Sequence, residues 1–248
     1  MTTETSINIA NAAHRRNAAR PESSPGLGRR PVGIVALQGA VGAHETVLDA
    51  LGIPHRRIFR SSSLNDVDGV ILPGGESTAQ TRLMGDDQYR FAEGLLRLAD
   101  EGRPILATCA GLILAANWGL LNVDVTRNGW GRQVASFEAM ADDARTPLVC
   151  IRAPRIGEVR VPTTIVLTLQ GEPIRVQQGS VVGATDHPEL TDDRRLHRRL
   201  FAEWIQPAPD SVSSPCPSQL SAMRASATTT PALVTPNPRR GIARSTPR

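Results

Sequence analysis

The chain has 248 residues, 40% of them hydrophobic and 3% aromatic, and 28 basic against 24 acidic residues give a net charge of +4. This supplies one sizeable core, or one core with tails, and no run of about 18 apolar residues is present to cross a membrane. The positive charge does not specify a nucleic-acid partner, because it lies outside the part of the chain that can fold.

All 28 basic residues are arginine. Residues 31–206 carry 18 of them against 21 Asp and Glu, a net of −3, whereas residues 1–30 and 207–248 together carry a net of +7. No basic motif interleaved with aromatics is present, so stacking on bases has little to work with. Three cysteines, Cys109, Cys150 and Cys216, have no metal-type spacing and no disulfide pattern. The N-terminus lacks an apolar signal core, which points to the cytoplasm.

Residues 1–30, rich in Ala, Asn, Ser, Pro and Arg without periodicity, read as a flexible extension. A first strand is expected over Val32–Leu37 and ends in Gln38-Gly39. A helix over about Val41–Leu51 follows, closed by Gly52. A short strand around Arg57–Phe59 and another over Val67–Leu72 lead into Pro73-Gly74-Gly75. A helix over about Tyr89–Glu101, closed by Gly102, precedes the apolar run Pro104–Thr108. Strands alternating with helices predict an α/β domain with a mostly parallel sheet flanked by helices on both faces, a three-layer arrangement. In such sheets ligands bind beyond the C-terminal ends of the strands, where Gln38-Gly39, Gly74-Gly75-Glu76 and Cys109 all fall.

After Gly119 short strands dominate: Val123–Thr126, Leu148–Arg152, Thr164–Leu167, Ile174–Gln177 and Ser180–Gly183. A last helix is expected over about Asp192–Ile205, with Arg194, Arg195, Arg198 and Arg199 on its solvated face. Residues 207–248, rich in Pro, Ser, Thr and Ala, cannot build an apolar face and read as disordered.

Two places carry chemistry. In Pro104–Ala115 an apolar run breaks at Thr108-Cys109-Ala110-Gly111 and restarts, a strand–turn–helix pattern that lifts a side chain out of the sheet. Cys109 would then sit at a helix N-terminus, which favours the nucleophilic thiolate; taken alone, a cysteine is more often a buried apolar residue. Downstream, Thr185-Asp186-His187-Pro188-Glu189-Leu190 places an imidazole and a carboxylate two residues apart, on one side of an extended segment. A carboxylate so placed fixes the tautomer of the imidazole and stabilises its protonated form. Cys109, His187 and Glu189 are the parts of a Cys-His-Glu triad.

Five stretches give the chain its resemblance to a known family. They are Gly33–Ala40, Leu72-Pro-Gly-Gly-Glu-Ser-Thr78, Thr108–Leu112, Arg127-Asn-Gly-Trp-Gly-Arg-Gln-Val-Ala-Ser-Phe-Glu138 with Ile151–Pro154, and His187–Leu190. In this order, over about residues 31–206, they resemble the glutaminase subunit of pyridoxal 5'-phosphate synthase, a class I triad glutamine amidotransferase. The resemblance implies a flavodoxin-like amidotransferase domain and hydrolysis of L-glutamine to glutamate and ammonia through a thioester on Cys109. It implies no cofactor and no metal. The partner it implies is a barrel-shaped synthase subunit that receives ammonia in a hetero-oligomeric complex. Carried over position by position, Gly75, Glu76, Ser77, Arg127, Ile151 and Arg152 would bind glutamine, and the backbone N–H groups of Gly75 and Ala110 would face the oxyanion. Lacking lysine, the chain has no lysine amine for a Schiff base, so carbonyl chemistry falls to the partner.

Three departures mark this chain. Ala107 stands where the family usually has Gly, about ten residues are missing after Leu112, and Asp186 replaces an aromatic expected to be buried before the histidine. They motivate an alternative reading, an amidotransferase-like subunit of weak or no activity that binds the synthase. A different cysteine hydrolase on a similar sheet is the third reading, against which the Arg-Asn-x-x-Gly-Arg-Gln run and His-Pro-Glu argue.

Overall fold

The computed structural model describes residues 30–129 and 136–202. The expected extensions, residues 1–30 and 207–248, lie outside the described residues except for Arg30. Seven strands form the main sheet, in the order β2-β1-β3-β4-β11-β10-β9. Five of them run parallel: β2 (His55–Ile58), β1 (Val32–Val35), β3 (Gly69–Leu72), β4 (Ile105–Thr108) and β11 (Val181–Ala184). The hairpin β10 (Glu172–Gln178) and β9 (Thr164–Leu169) adds two antiparallel strands at one edge. Two ribbons complete the strand set among the described residues, β5 (Val123–Thr126) with β8 (Arg155–Val159) and β6 (Phe137–Met140) with β7 (Pro147–Cys150).

The central strands are apolar on both faces, as a parallel sheet covered on both sides requires. Alternate residues go to opposite cores. Val35, Val70, Leu72, Ile105, Ala107 and Val181 join one cluster with Phe91, Leu95 and Leu98 of α3 (Gln88–Asp100) and Leu112 and Leu114 of α4 (Ala110–Asn117). Val32, Ile34, Ile71, Leu106 and Val182 face the other way, onto Leu48 of α1 (Val41–Ala50) and onto Leu196, Leu200 and Phe201. On α3 the spacing of Phe91, Leu95 and Leu98, all at 0% exposure, keeps one stripe against the sheet. Burying each such side chain contributes about 2 kcal/mol. The three-layer, mostly parallel architecture read from the sequence is therefore present. No helix among the described residues is long and apolar enough to cross a membrane.

Several local expectations need correction. Ser77–Met84 forms a helix, α2, where none was expected, because its sequence is mostly polar and its start depends on the Glu76 side chain. Arg155–Val159 and Phe137–Met140 are strands without an apolar run, each holding one side of a two-stranded ribbon. The strand expected over Leu148–Arg152 ends at Cys150, and Arg152 has φ +49°. The last helix starts late: α5 covers Arg195–His197 and passes into a wider π-type turn over Arg198–Ala202. Its four arginines are exposed, as expected.

The segment shortened after Leu112 is a finished helix. Gly119 N–H donates to Ala116 O at 3.1 Å and Leu120 N–H to Ala115 O at 2.9 Å, with Gly119 at φ +77°. This is a Schellman cap, which satisfies the end carbonyls of a helix however short. Leu120 and Leu121 then return to the core at 1% exposure each. Ala107 is fully buried within β4, opposite Gly183 and Leu72, so the sharp turn begins only at Cys109. What seats α4 on the sheet is Gly111, where a Cβ would lie 2.1 Å from Leu72 O. Gly111→Ala should therefore lower stability by about 2 kcal/mol or more, read as a drop in the urea midpoint with an unchanged m-value.

Candidate active site

Cys109 follows directly on β4 and caps α4, with φ +46° and ψ −103°. That backbone is costly for a non-glycine residue, on the order of 1–3 kcal/mol, and persists only where its surroundings over-determine it. Its N–H donates to Ala184 O at 2.8 Å, at the end of the adjacent strand. The side chain is 6% exposed; its Sγ lies 3.9 Å from Ile151 O.

His187 arrives on the neighbouring strand end, three residues beyond β11. Its N–H donates to Val149 O at 2.8 Å, which holds the backbone of His187 to β7. The imidazole Nδ1 lies 2.7 Å from Glu189 Oε1, with Glu189 fully buried at its side chain. The expected extended His-x-Glu is in fact the entry to a short 3₁₀ turn over Pro188–Leu190, and that turn brings the carboxylate back under the ring. Burial works against a charged imidazole here, but hydrogen bonds to Cys109 and Glu189, and their charges, outweigh it and raise His187 to about 10. The same ring opposes the burial that would raise Glu189, as do His44 and hydrogen bonding, and Glu189 stays below its ordinary value. Cysteine, histidine and glutamate thus meet, from two separate pieces of the sequence.

The remaining predicted residues converge on the same place. A pocket of about 340 Å³ is lined by Gly75, Glu76, Ser77, Cys109, Ala110, Arg127, Ile151, Arg152 and His187, with Gly74 and Asn128 among its other walls. Gly74 lets the histidine in: a Cβ there would sit 2.4 Å from the His187 ring and 3.3 Å from Cys109 Cβ. Glu76 is engaged by α2, accepting hydrogen bonds from Ala79 N–H at 2.7 Å and Thr78 N–H at 3.2 Å. The Ala79 N–H above all, with Thr78 and the charge of Arg127, outweighs desolvation and keeps its carboxyl low. Arg127 donates from Nη1 to Thr78 Oγ1 at 2.7 Å. Ser77, the first residue of α2, is 3% exposed. Part of the motif that begins at Arg127, residues 130–135, lies outside the described residues. No group of three or more His, Cys, Asp or Glu that could hold a metal occurs among the described residues.

Two features escaped sequence reading. The position expected to have lost a buried aromatic is buried all the same: Asp186, at 0% exposure, accepts from Arg175 Nε at 3.0 Å and from its Nη2 at 2.5 Å. Arg175 on β10 and Asp186 flank the β10–β11 hairpin, so their approach depends on strand register rather than on a local pattern. Behind Glu189 lies a second buried cluster, His44 with His197. Cys150, close to Asp186, has its thiol pushed up to about 12, mainly by burial.

A buried charge left alone is expensive, so Asp186→Ala should destabilise the fold by about 3 kcal/mol. The double change Arg175→Leu with Asp186→Leu should recover most of that loss in a denaturant titration. His44 and His197 are both lowered by burial, His197 to about 3. The unfolded chain therefore binds more protons below pH 6.5. Stability from these two histidines is complete above that pH and is lost as pH falls below 6.5, for His197 down to about 3 at up to about 1.4 kcal/mol per pH unit. Thermal melts across that range should show the decline, and His197→Gln should flatten it.

The SNO glutamine amidotransferase family matches residues 34–206. A pyridoxal 5'-phosphate synthase subunit PdxT from Bacillus pumilus is 42% identical over 188 residues, covering 71% of this chain and 94% of that protein. The protein of the same description from Shouchella clausii is 43% identical over 183 residues, 68% of this chain and 93% of its own length. Among solved structures, a glutamine amidotransferase superposes with a TM-score of 0.62 at 33% identity, covering 70% of this chain and 97% of its own. With its sheet, its cysteine elbow and these matches, the chain belongs to the SNO glutamine amidotransferase family.

Proposed function

We propose that this protein hydrolyses L-glutamine to glutamate and ammonia, and passes the ammonia to a pyridoxal 5'-phosphate synthase subunit in a hetero-oligomeric complex in the cytoplasm. The observation that carries the reading is that Cys109 and His187 line one pocket together with two arginines, while the buried Glu189 holds His187.

The Cys109 thiolate attacks the side-chain carboxamide carbon, and the carbonyl oxygen takes the charge. Backbone N–H groups of Gly75 and Ala110 are the candidates to receive it, since fixed donors aimed at a developing oxyanion lower the barrier to acyl transfer. The imidazolium of His187, held by Glu189, gives its proton to the departing nitrogen, so ammonia leaves and a thioester remains on Cys109. Water then adds to the thioester with His187 as base, and glutamate departs. Arg127 and Arg152 suit the α-carboxylate of glutamine, because a guanidinium grips a carboxylate through two parallel hydrogen bonds. Glu76 carries negative charge beside them for the α-ammonium, and Ser77 and Ile151 line the space between. With no lysine in the chain, the carbonyl chemistry of cofactor assembly belongs to the partner, a barrel-type synthase.

Glutamate release from glutamine, measured for the chain alone and with a pyridoxal 5'-phosphate synthase subunit, tests the reading. Release that depends on or rises with the partner is the expected result, and Cys109→Ala should lower it by at least about 10³-fold. A partner that binds without any release under either condition would leave the binding-only subunit as the better description.

A further inference from the structure

Behind the triad runs a line of buried polar side chains that the reaction above does not use. His44 on α1 and His197 on α5 are both at 0% exposure. His44 Nδ1 is 3.0 Å from His197 Nε2. Its other nitrogen, Nε2, is 3.3 Å from Thr108 Oγ1 and 3.5 Å from Glu189 Oε2. Thr108 is the residue before Cys109, and its hydroxyl oxygen also accepts from Gly74 N–H at 2.8 Å. Glu189 Oε1 is engaged by His187, whereas Oε2 is buried and makes no hydrogen bond by strict geometry. The imidazole of His44 faces that oxygen.

The hydrogen-bond inventory chooses the tautomer. With the proton on His44 Nε2, an N–H points between two oxygens, one of them a carboxylate, and Nδ1 accepts from His197 Nε2–H. The unpartnered His197 Nδ1 is then a bare nitrogen. With the proton on His44 Nδ1, a bare Nε2 would face the carboxylate and His197 would be left with an orphaned N–H in the core. Unpartnered buried donors are rarer and costlier than acceptors, so the first arrangement holds. A neutral ring also suits the place. It gives Glu189 a donor without cancelling the negative charge that the His187 imidazolium needs.

We propose that His44 is a positioning residue of the triad: its Nε2–H fixes the outer oxygen of Glu189 and, through the Thr108 hydroxyl, ties that carboxylate to Gly74 and to the strand that delivers Cys109. The proposal rests on the glutaminase reading for its meaning in turnover, but the geometry can be tested without glutamine. Held through only one oxygen, Glu189 is free to turn about its last torsion, and His187 loses a fixed acceptor for Nδ1–H. Held through both, the carboxylate presents one oxygen in line as the proton moves. Contacts of 3.3–3.5 Å are long, as catalytic hydrogen bonds often are before substrate tightens them. Four buried polar side chains far apart in sequence are a costly way to fill a core, which argues for a role other than packing.

The test compares His44→Leu, which fills the space without a donor, with His44→Gln, whose amide can place an N–H near the same point, both in a Cys216→Ser background of the full chain. Two readouts are taken: the pH dependence of Cys109 alkylation by iodoacetamide on the chain alone, and glutamate release with the synthase subunit present. For His44→Leu the alkylation midpoint should rise by about one pH unit. Its kcat should fall about tenfold with KM within about twofold, the scale on which groups that orient a catalytic imidazole from behind contribute. His44→Gln should restore both. Unchanged alkylation and turnover in His44→Leu, or equal losses in the two variants, would overturn the proposal. Should His44→Leu not fold, His44→Gln alone decides: near-native values support the donor role and a tenfold loss defeats it. Absence of glutamate release by the unsubstituted complex would overturn the glutaminase reading instead, leaving the alkylation comparison to decide on His44.

Discussion

The site depends on one strained residue. Cys109 is held at positive φ between a parallel strand and a helix, and every other part of the site is placed by what keeps it there. Its N–H is fixed by Ala184 O on the next strand, two residues after which the chain delivers Asp186 and then His187. The residue before it, Thr108, takes the N–H of Gly74, and so sets the loop that ends in Gly75 and Glu76. The residue two positions after it, Gly111, lets α4 lie directly on the Leu72 carbonyl. Relaxing the elbow would loosen these three contacts together, and the same contacts offset its strain.

The parallel order of β3, β4 and β11 makes this convergence possible. Their C-terminal ends lie side by side, so Gly74, Cys109 and His187 reach one point although they are up to 113 positions apart in the chain. The partner strand β10, running the other way, contributes Arg175 from its middle. Most of the buried charges here are paired: one oxygen of the Glu189 carboxylate with an imidazole, and the Asp186 carboxylate with a guanidinium. Among such paired neighbours each charge acts strongly on its partner, which is how His187 is raised against its own burial.

Much of the architecture could be read from the chain because the central strands are short apolar runs closed by glycine and separated by helices with a clear stripe. Cys109, His187 and Glu189 were legible because each sits in a local pattern, an apolar run broken at a thiol and an imidazole two residues from an acid. Other elements left no such trace. The α2 helix has few apolar residues and depends on Glu76 accepting from its first turn, while β8 has only Ile156 and Val159 to mark it, split by Gly157 and Glu158. His44 and His197 are 153 positions apart and meet only through the docking of α1 and α5 on one face. The length of the segment after Leu112 does not reveal its ending: the helix closes on Gly119 at positive φ with its last carbonyls satisfied.

The paired charges next to His187 have a consequence for how such a sequence can change. Before His187 this chain has the fully buried Asp186, and Arg175 meets it from across a hairpin. A chain with only one of the two would carry a lone charge in its core. Substitutions at the two positions are therefore coupled, because either charge is tolerable in the core only while the other is there to meet it. Recombination between this chain and a relative with a breakpoint inside the turn joining β10 to β11 would separate the pair. The hairpin is in that sense a single unit of inheritance, even though only one of its two strands leads to the chemistry.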